Sequence, residues 1–246
     1  MAVNFLTSRL VNCARDGAPT LFPNRCRLCD QQTAEHSGLC LACQNDLPLI
    51  RHACPRCATP LLTPVVCGAC LSTAEPPWRY CLAAFDYGYP IDRLIGRMKF
   101  EGEYNIAGTL GMIAARNLRS RAPETATPDV ILPVPLHPVR RISRGYNQAA
   151  IIAQTFQSVL KTNVDPRLAR RLSNTPAQSG LNANRRQRNL HNVFACRPEL
   201  CRGRNILIVD DVITTGATVR SLARQLHLAG ANRVAVWALA KQRKNV

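Results

Sequence analysis

Four Cys-x-x-Cys pairs crowd into residues 26–70: Cys26/Cys29, Cys40/Cys43, Cys54/Cys57 and Cys67/Cys70. No other feature constrains the fold as strongly, because two thiols three positions apart make a knuckle that seizes a metal ion rather than a staple between distant segments. The gaps between successive pairs are 10, 10 and 9 residues. This near repeat reads as a duplicated ribbon in which each knuckle turns backbone N–H groups toward its thiolates. Eight thiolates make two tetrahedral four-cysteine zinc sites. Short loops close at lower entropic cost, which favours a sequential assignment: Cys26, Cys29, Cys40 and Cys43 for one ion, Cys54, Cys57, Cys67 and Cys70 for the other. A crossed pairing of the same ligands stays open. A closed four-thiolate site has no free coordination position, so both zinc ions are expected to be structural. His36 and His52, near the knuckles, read as surface residues; Cys13, Cys81, Cys196 and Cys201 read as small apolar side chains.

The 246 residues allow one large domain or two modest ones. No apolar run approaches the ~18 residues of a membrane helix. The N-terminus MAVNFLTSRLVNC lacks the charged start and long apolar stretch of a secretory signal, so a cytoplasmic protein is expected. The formal charge of +17 is unevenly spread. Residues 1–80 carry 7 basic and 5 acidic side chains, whereas residues 116–205 carry 16 and 4. Of the 32 cations 28 are arginine, whose forked donors suit phosphate. Two filled zinc sites, each setting four thiolates against one Zn²⁺, would leave the first 80 residues slightly negative, which disfavours a ribbon that grips nucleic acid by bulk charge.

Near the other end, residues 206–219 read ILIVDDVITTGATV. Ile206–Val209 suits a buried parallel strand ending at Asp210 and Asp211. Thr214, Thr215, Gly216, Ala217 and Thr218 form a small hydroxyl-rich loop. Helical spacing follows over 219–229, with Leu222, Leu226 and Ala229 on one face and Gly230 as the stop. With a further apolar run at 234–240 the unit is strand, loop, helix, strand, a βαβ crossover. A loop of this kind offers N–H groups and hydroxyls at a helix N-terminus, where a phosphate monoester is favoured. Two adjacent carboxylates would repel a bare phosphate, so they call for hydroxyl groups nearby; ribose, with Mg²⁺, meets that need.

VDDVITTGAT resembles the signature of type I phosphoribosyltransferases, which bind 5-phosphoribosyl-1-pyrophosphate. The resemblance implies Asp210 and Asp211 on the ribose 2′ and 3′ hydroxyls and Thr214 to Thr218, including Gly216 and Ala217, around the 5′-phosphate. With four Cys-x-x-Cys pairs ahead of it, and KFEG, PVPLHPVRRISRGYNQ and RNLHNVF between, the chain resembles the ComF competence family. That family includes GntX-like relatives tied to the use of DNA as a nutrient. Gln178, Leu181, Arg186, Asn189 and Phe194 fit the family pattern, while Asn182 stands where a serine is expected.

Two further segments carry arginines toward the same chemistry. A strand at 130–132 runs into Pro133 and Pro135, followed by HPVRRISRG and a helix over 147–160, so a cationic loop with Arg140, Arg141 and Arg144 lies between strand and helix. The family resemblance places such a loop beside the pyrophosphate, with Arg140 and Arg144 as donor ligands. Residues 173–192 are polar and contain Arg185, Arg186 and Arg188, which reads as a basic flap or an exposed linker; the resemblance to phosphoribosyltransferases implies a flap whose closure would bring Arg186 toward the leaving group. In the segment 87–100, Ile91, Leu94, Ile95 and Met98 mark a helix face, and Lys99 reads as a partner for the helix dipole.

The expected architecture is a double zinc ribbon over about residues 20–80 and an α/β domain of the type I phosphoribosyltransferase kind, with a parallel sheet, over about 81–246. Two functions follow from the resemblance. One is phosphoribosyl transfer from the diphosphate donor with Mg²⁺, with Asp210, Asp211 and Arg186 in catalytic roles. The other is a non-catalytic module for single-stranded DNA that reuses the phosphate loop, contacts the strand through Arg185, Arg186 and Arg188, and works with other DNA-uptake proteins.

Overall fold

The computed structural model describes residues 24–33, 38–123, 127–137, 139, 145–172 and 193–243. Each ribbon begins with a Cys-x-x-Cys turn and ends in a short helix started by the third cysteine of its set. These helices are α1 (Leu41–Asn45), with Cys40 at its N-cap, and α2 (Gly68–Leu71), with Cys67 there. A linker through Trp78 then leads into β1 (Cys81–Asp86), followed by α3 (Ile91–Phe100) and α4 (Tyr104–Arg121). The chain continues through β2 (Val130–Pro133), α5 (Gln148–Leu160), a small hairpin of β3 (Ala169–Arg171) and β4 (Phe194–Cys196), and α6 (Pro198–Cys201). It closes with β5 (Asn205–Ile213), α7 (Ala217–Leu228) and β6 (Arg233–Lys241).

The central sheet has the order β1-β6-β5-β2 and is parallel throughout. Both faces are covered, as the unbroken apolar runs of its strands require. One face carries α3, α4 and α5, packed through Leu94, Met98, Leu110, Ile152 and Phe156 on Leu207, Val209 and Trp237. The other carries α7 and the hairpin, where Val219, Leu222, Leu226 and Phe194 meet Ile206, Ile208, Val234 and Val236. Helices α4 and α5 approach closely at Gly111, where an added Cβ would clash with Thr155. No helix among the described residues is long and apolar enough to cross a membrane.

The sheet also divides the ribbons. Cys26, Leu39 and Leu47 of the first join the core on the α3–α5 face, whereas Ile50, Ala53, Ala58 and Trp78, around the second, join the core on the α7 face.

Three sequence expectations shift. The strand expected at 206–209 does not end at the acidic pair but runs to Ile213, because β6 is long enough to give Val212 and Ile213 partners in Ala240 and Lys241. The carboxylates adapt by accepting the next backbone N–H, Asp211 N to Asp210 Oδ1 at 2.9 Å and Val212 N to Asp211 Oδ1 at 2.6 Å. Pro133 stays inside β2, opposite Val209, since an edge strand needs no N–H on its outer side. Helix α7 starts two residues earlier than the spacing suggested, at Ala217.

Candidate functional site

The thiol sets group in the sequential manner: Cys26, Cys29, Cys40 and Cys43 in one cluster and Cys54, Cys57, Cys67 and Cys70 in the other, with all four sulfurs of each within 4.8 Å of one another. Cys29 and Cys40 sulfurs lie 3.7 Å apart, as do those of Cys57 and Cys67. A tetrahedron with Zn–S bonds of ~2.3 Å has an edge of ~3.8 Å, so both clusters fit a zinc ion. Backbone N–H groups do face the sulfurs, Cys43 N on Cys40 at 3.5 Å and Cys67 N on Cys54 at 3.4 Å. At Cys26, burial raises the thiol pKa, but N–H groups of Cys29, Cys40 and Leu28 outweigh it and hold the value at about 6. The same balance leaves Cys54 at about 7. Cys43 and Cys70 are pushed well up by burial and by the neighbouring thiols, since four anions this close need a cation among them. These are two tetra-cysteine zinc-ribbon sites, each closed to further ligands. His52 is exposed, Cys81 and Cys201 are buried in the core, and His36 and Cys13 lie outside the described residues.

At the end of β5, Asp210, Asp211 and the loop 214–218 come together. Gly216 has φ +78°, the left-handed conformation that only glycine adopts without strain, and is the N-cap residue of α7. Gly216 itself brings no capping side chain, the Ala217 N–H reaches Thr215 Oγ1 at 3.4 Å, and Thr214, Thr215 and Ala217 are exposed. The start of α7 is thus exposed and flanked by threonine hydroxyls, a setting suited to an anion. Asp210 is pushed up to about 7 by burial first and by the charge of Asp211 second. Asp211 is held by Lys99 of α3, whose Nζ lies 2.9 Å from its Oδ2. Lys99 does lie in the last turn of α3, as the dipole reading expects, and it is a carboxylate partner as well.

Sequence reasoning passed over several residues that build this site. Lys241, the last residue of β6, is 4% exposed, and its ammonium group donates to the carbonyls of Ile213, Thr214 and Gln242. It lies under the first residues of the loop and fixes them from below. A lysine that ends an otherwise apolar strand beside the signature strand was the available signal. Trp78 packs beside Gly216, 3.9 Å from where a Cβ would stand, and beneath the Arg220 guanidinium, 5.2 Å from the ring centroid. Arg97 binds Glu103 at 3.1 Å. Nothing in the sequence pattern marks these two. Arg140, Arg144, Arg185, Arg186 and Arg188 lie outside the described residues.

A parallel sheet with paired carboxylates and a glycine-led helix start at the end of one strand, carried with a double zinc ribbon, defines a phosphoribosyltransferase-type domain. Residues 18–71 match the double zinc ribbon domain and residues 112–245 the phosphoribosyl transferase domain. Over 224 residues the chain is 35% identical to DNA utilization protein YhgH of Shigella flexneri, covering 89% of this chain and 97% of that one. Over 210 residues it is 33% identical to competence protein F of Haemophilus influenzae, covering 83% and 91%. Among solved structures, glutamine phosphoribosylpyrophosphate amidotransferase from B. subtilis aligns with a TM-score of 0.38 and 18% identity over 55% of this chain and 26% of that one. The chain belongs to the ComF family of phosphoribosyltransferase-domain proteins linked to competence and DNA utilization.

Proposed function

We propose that the chain binds 5-phosphoribosyl-1-pyrophosphate with Mg²⁺ at the end of β5. The observation that carries this reading is the position of two carboxylates one loop away from an exposed, glycine-started helix. Asp210 and Asp211 accept from the ribose hydroxyls, and the 5′-phosphate sits on the N–H groups and hydroxyls of Thr214–Thr218. Lys241 supports that loop, and Lys99 pairs with Asp211 and holds its carboxylate in place. A hard cation with oxygen ligands suits the acidic pair; bound with the diphosphate, Mg²⁺ would neutralise charge on the leaving group. Arg140, Arg144 and Arg186 are assigned to the diphosphate by family resemblance. In the transfer reaction an acceptor nucleophile forms a bond to the ribose anomeric carbon as its bond to pyrophosphate oxygen breaks, and the growing positive charge faces the acidic pair.

Calorimetry with the donor and Mg²⁺ tests the binding step. The paired substitution Asp210→Asn with Asp211→Asn should lower affinity at least tenfold; undiminished affinity overturns the assignment. Steady pyrophosphate release with pooled bases would establish transfer, and its absence would confine the protein to binding.

A second reading is favoured by the names of the relatives and by charge. Residues 116–205 hold 16 basic against 4 acidic side chains, and Arg116, Arg119, Arg170, Arg197 and Arg204 of that stretch are exposed. Single-stranded DNA bound along this basic stretch, with Arg185, Arg186 and Arg188 as contacts, would show a steep salt dependence. Competition by the donor beyond that of tripolyphosphate would place a DNA phosphate in the loop; equal displacement would leave the two ligands on separate surfaces.

A further inference from the structure

Both ribbons offer the main-chain carbonyl of a knuckle arginine to a side chain outside the ribbon. In Cys26-Arg27-Leu28-Cys29 the Arg27 carbonyl accepts from Arg97 Nη1 at 3.1 Å. In Cys54-Pro55-Arg56-Cys57 the Arg56 carbonyl accepts from the Trp78 indole N–H at 2.9 Å. The two recipients lead to different halves of the same site. Arg97 stands two residues before Lys99 on α3, and Lys99 holds Asp211 at 2.9 Å. The arm is braced at Glu103, whose Oε1 takes Arg97 at 3.1 Å and Arg27 at 3.5 Å. Trp78, 8% exposed, packs under Arg220 and against Gly216, the residue that starts α7.

The knuckle turn that aims each carbonyl is the turn that aims N–H groups at sulfur, so its shape depends on the metal. With zinc present the four sulfurs sit around one ion. Without it the thiols must take up protons or move apart, and the carbonyl moves with them.

We propose that each zinc ribbon positions one half of the sugar-phosphate site: the first, through Arg27, Arg97 and Lys99, fixes the carboxylate end, and the second, through Arg56 and Trp78, fixes the phosphate loop. The ligand named for that site rests on the reading under Proposed function; the coupling itself does not. Arg97, Lys99 and Trp78 are positioning residues. Because the arms run on opposite faces of the sheet, losing one metal should loosen one half of the site and leave the other in place.

Hydrogen exchange on the ligand-free full-length chain tests the coupling. Cys70→Ser, which removes a ligand of the second ribbon, should speed exchange in residues 213–220 by about fivefold or more while residues 94–103 keep wild-type rates. Cys29→Ser should do the reverse. Trp78→Phe and Arg97→Met repeat the two arms with all eight thiols in place, so an unfolded ribbon cannot account for the result. Wild-type exchange in both segments after zinc loss, or equal acceleration of both in every variant, overturns the proposal.

Calorimetry then reads the site. Arg97→Met should weaken 5-phosphoribosyl-1-pyrophosphate about tenfold and leave tripolyphosphate within about twofold, whereas Trp78→Phe should weaken both alike. A wild-type chain that binds neither probe sinks the ligand assignment, and the exchange result still decides the coupling.

Discussion

The two ribbons have the same metal chemistry and opposite ways of fastening themselves. The first sends Leu39 and Leu47 into the core but makes its link to the site with charges, Arg27 and Arg97 on Glu103. The second makes its link with an aromatic ring, Trp78 lying between Arg56 and the start of α7. Its Cys54 is fully buried, while Cys29 of the first is exposed. A duplicated metal unit can therefore keep its ligand set fixed while the surroundings decide how rigidly it is held.

The largest effects concern the metal. Wild-type protein should contain two zinc ions per chain, and Cys54→Ser and Cys29→Ser should each contain one. Structural zinc contributes on the order of 10 kcal/mol to folding of such modules, so each variant should lose its own ribbon. Cys54→Ser should also lower the melting temperature of the α/β domain more than Cys29→Ser, because Ala53 and Ala58 on either side of its knuckle are buried in the core of the α7 face while Cys29 is exposed. Metal analysis with calorimetric unfolding checks both; loss of both ions from one substitution would break the picture of two independent units.

The anchors come next. Trp78→Ala should cost about 4 kcal/mol and Leu39→Ala about 3 kcal/mol in denaturant unfolding, the range for emptying buried aromatic and aliphatic sites. Near-neutral Trp78→Ala would mean that the second ribbon is held by its backbone alone.

These contrasts bear on how far the sequence could be read. The zinc ligands were legible because metal geometry acts over three or four residues and leaves a spacing. The turn of the loop was legible for the same reason: Gly216, with φ +78°, starts α7 within a few consecutive positions of β5. The extent of β5 was not, because its last residues are strand only through β6, and propensity cannot report a partner 28 residues away in register. The place of Lys99 at the end of α3 was legible but its partner was not, because Asp211 is brought to it by tertiary packing. Trp78, Arg97 and Lys241 likewise act across distances that leave no periodic trace.

The charged arm should be visible in the pH profile of stability. Burial and the charge of Asp211 push the Asp210 carboxyl up to about 7 from its ordinary 3.8, while Lys99 opposes the rise. Folded protein then holds the proton more tightly than unfolded protein. The associated stability is complete below pH ~4, falls as pH rises, and is gone above ~7. Asp210→Asn should be more stable than wild type at pH 8, by about 2 kcal/mol once partial solvent contact is allowed for, and indistinguishable at pH 4. Lys99→Met should move the wild-type transition upward in pH. A pH-independent difference for Asp210→Asn would detach the carboxylate pair from the first ribbon's arm.

The smallest effect separates the two fastenings most directly. A double-mutant cycle on Arg97→Met and Glu103→Gln should return a coupling of about 0.5–1 kcal/mol, since both side chains are partly buried, at 24% and 17% exposed, and the pair is braced by Arg27. A cycle on Trp78→Leu and Arg220→Met should give a similar ~0.5–1 kcal/mol from the cation over the ring. Their response to salt should differ. Raising ionic strength to 1 M shortens the screening length to ~3 Å, about the 3.1 Å separation of Arg97 and Glu103. The ion-pair coupling should fall toward half, while the Trp78–Arg220 coupling, made by a guanidinium packed on a buried ring, should change much less. Equal loss in both cycles would mean that the second arm is held by charge as well, and the contrast between an electrostatic and an aromatic fastening would fail.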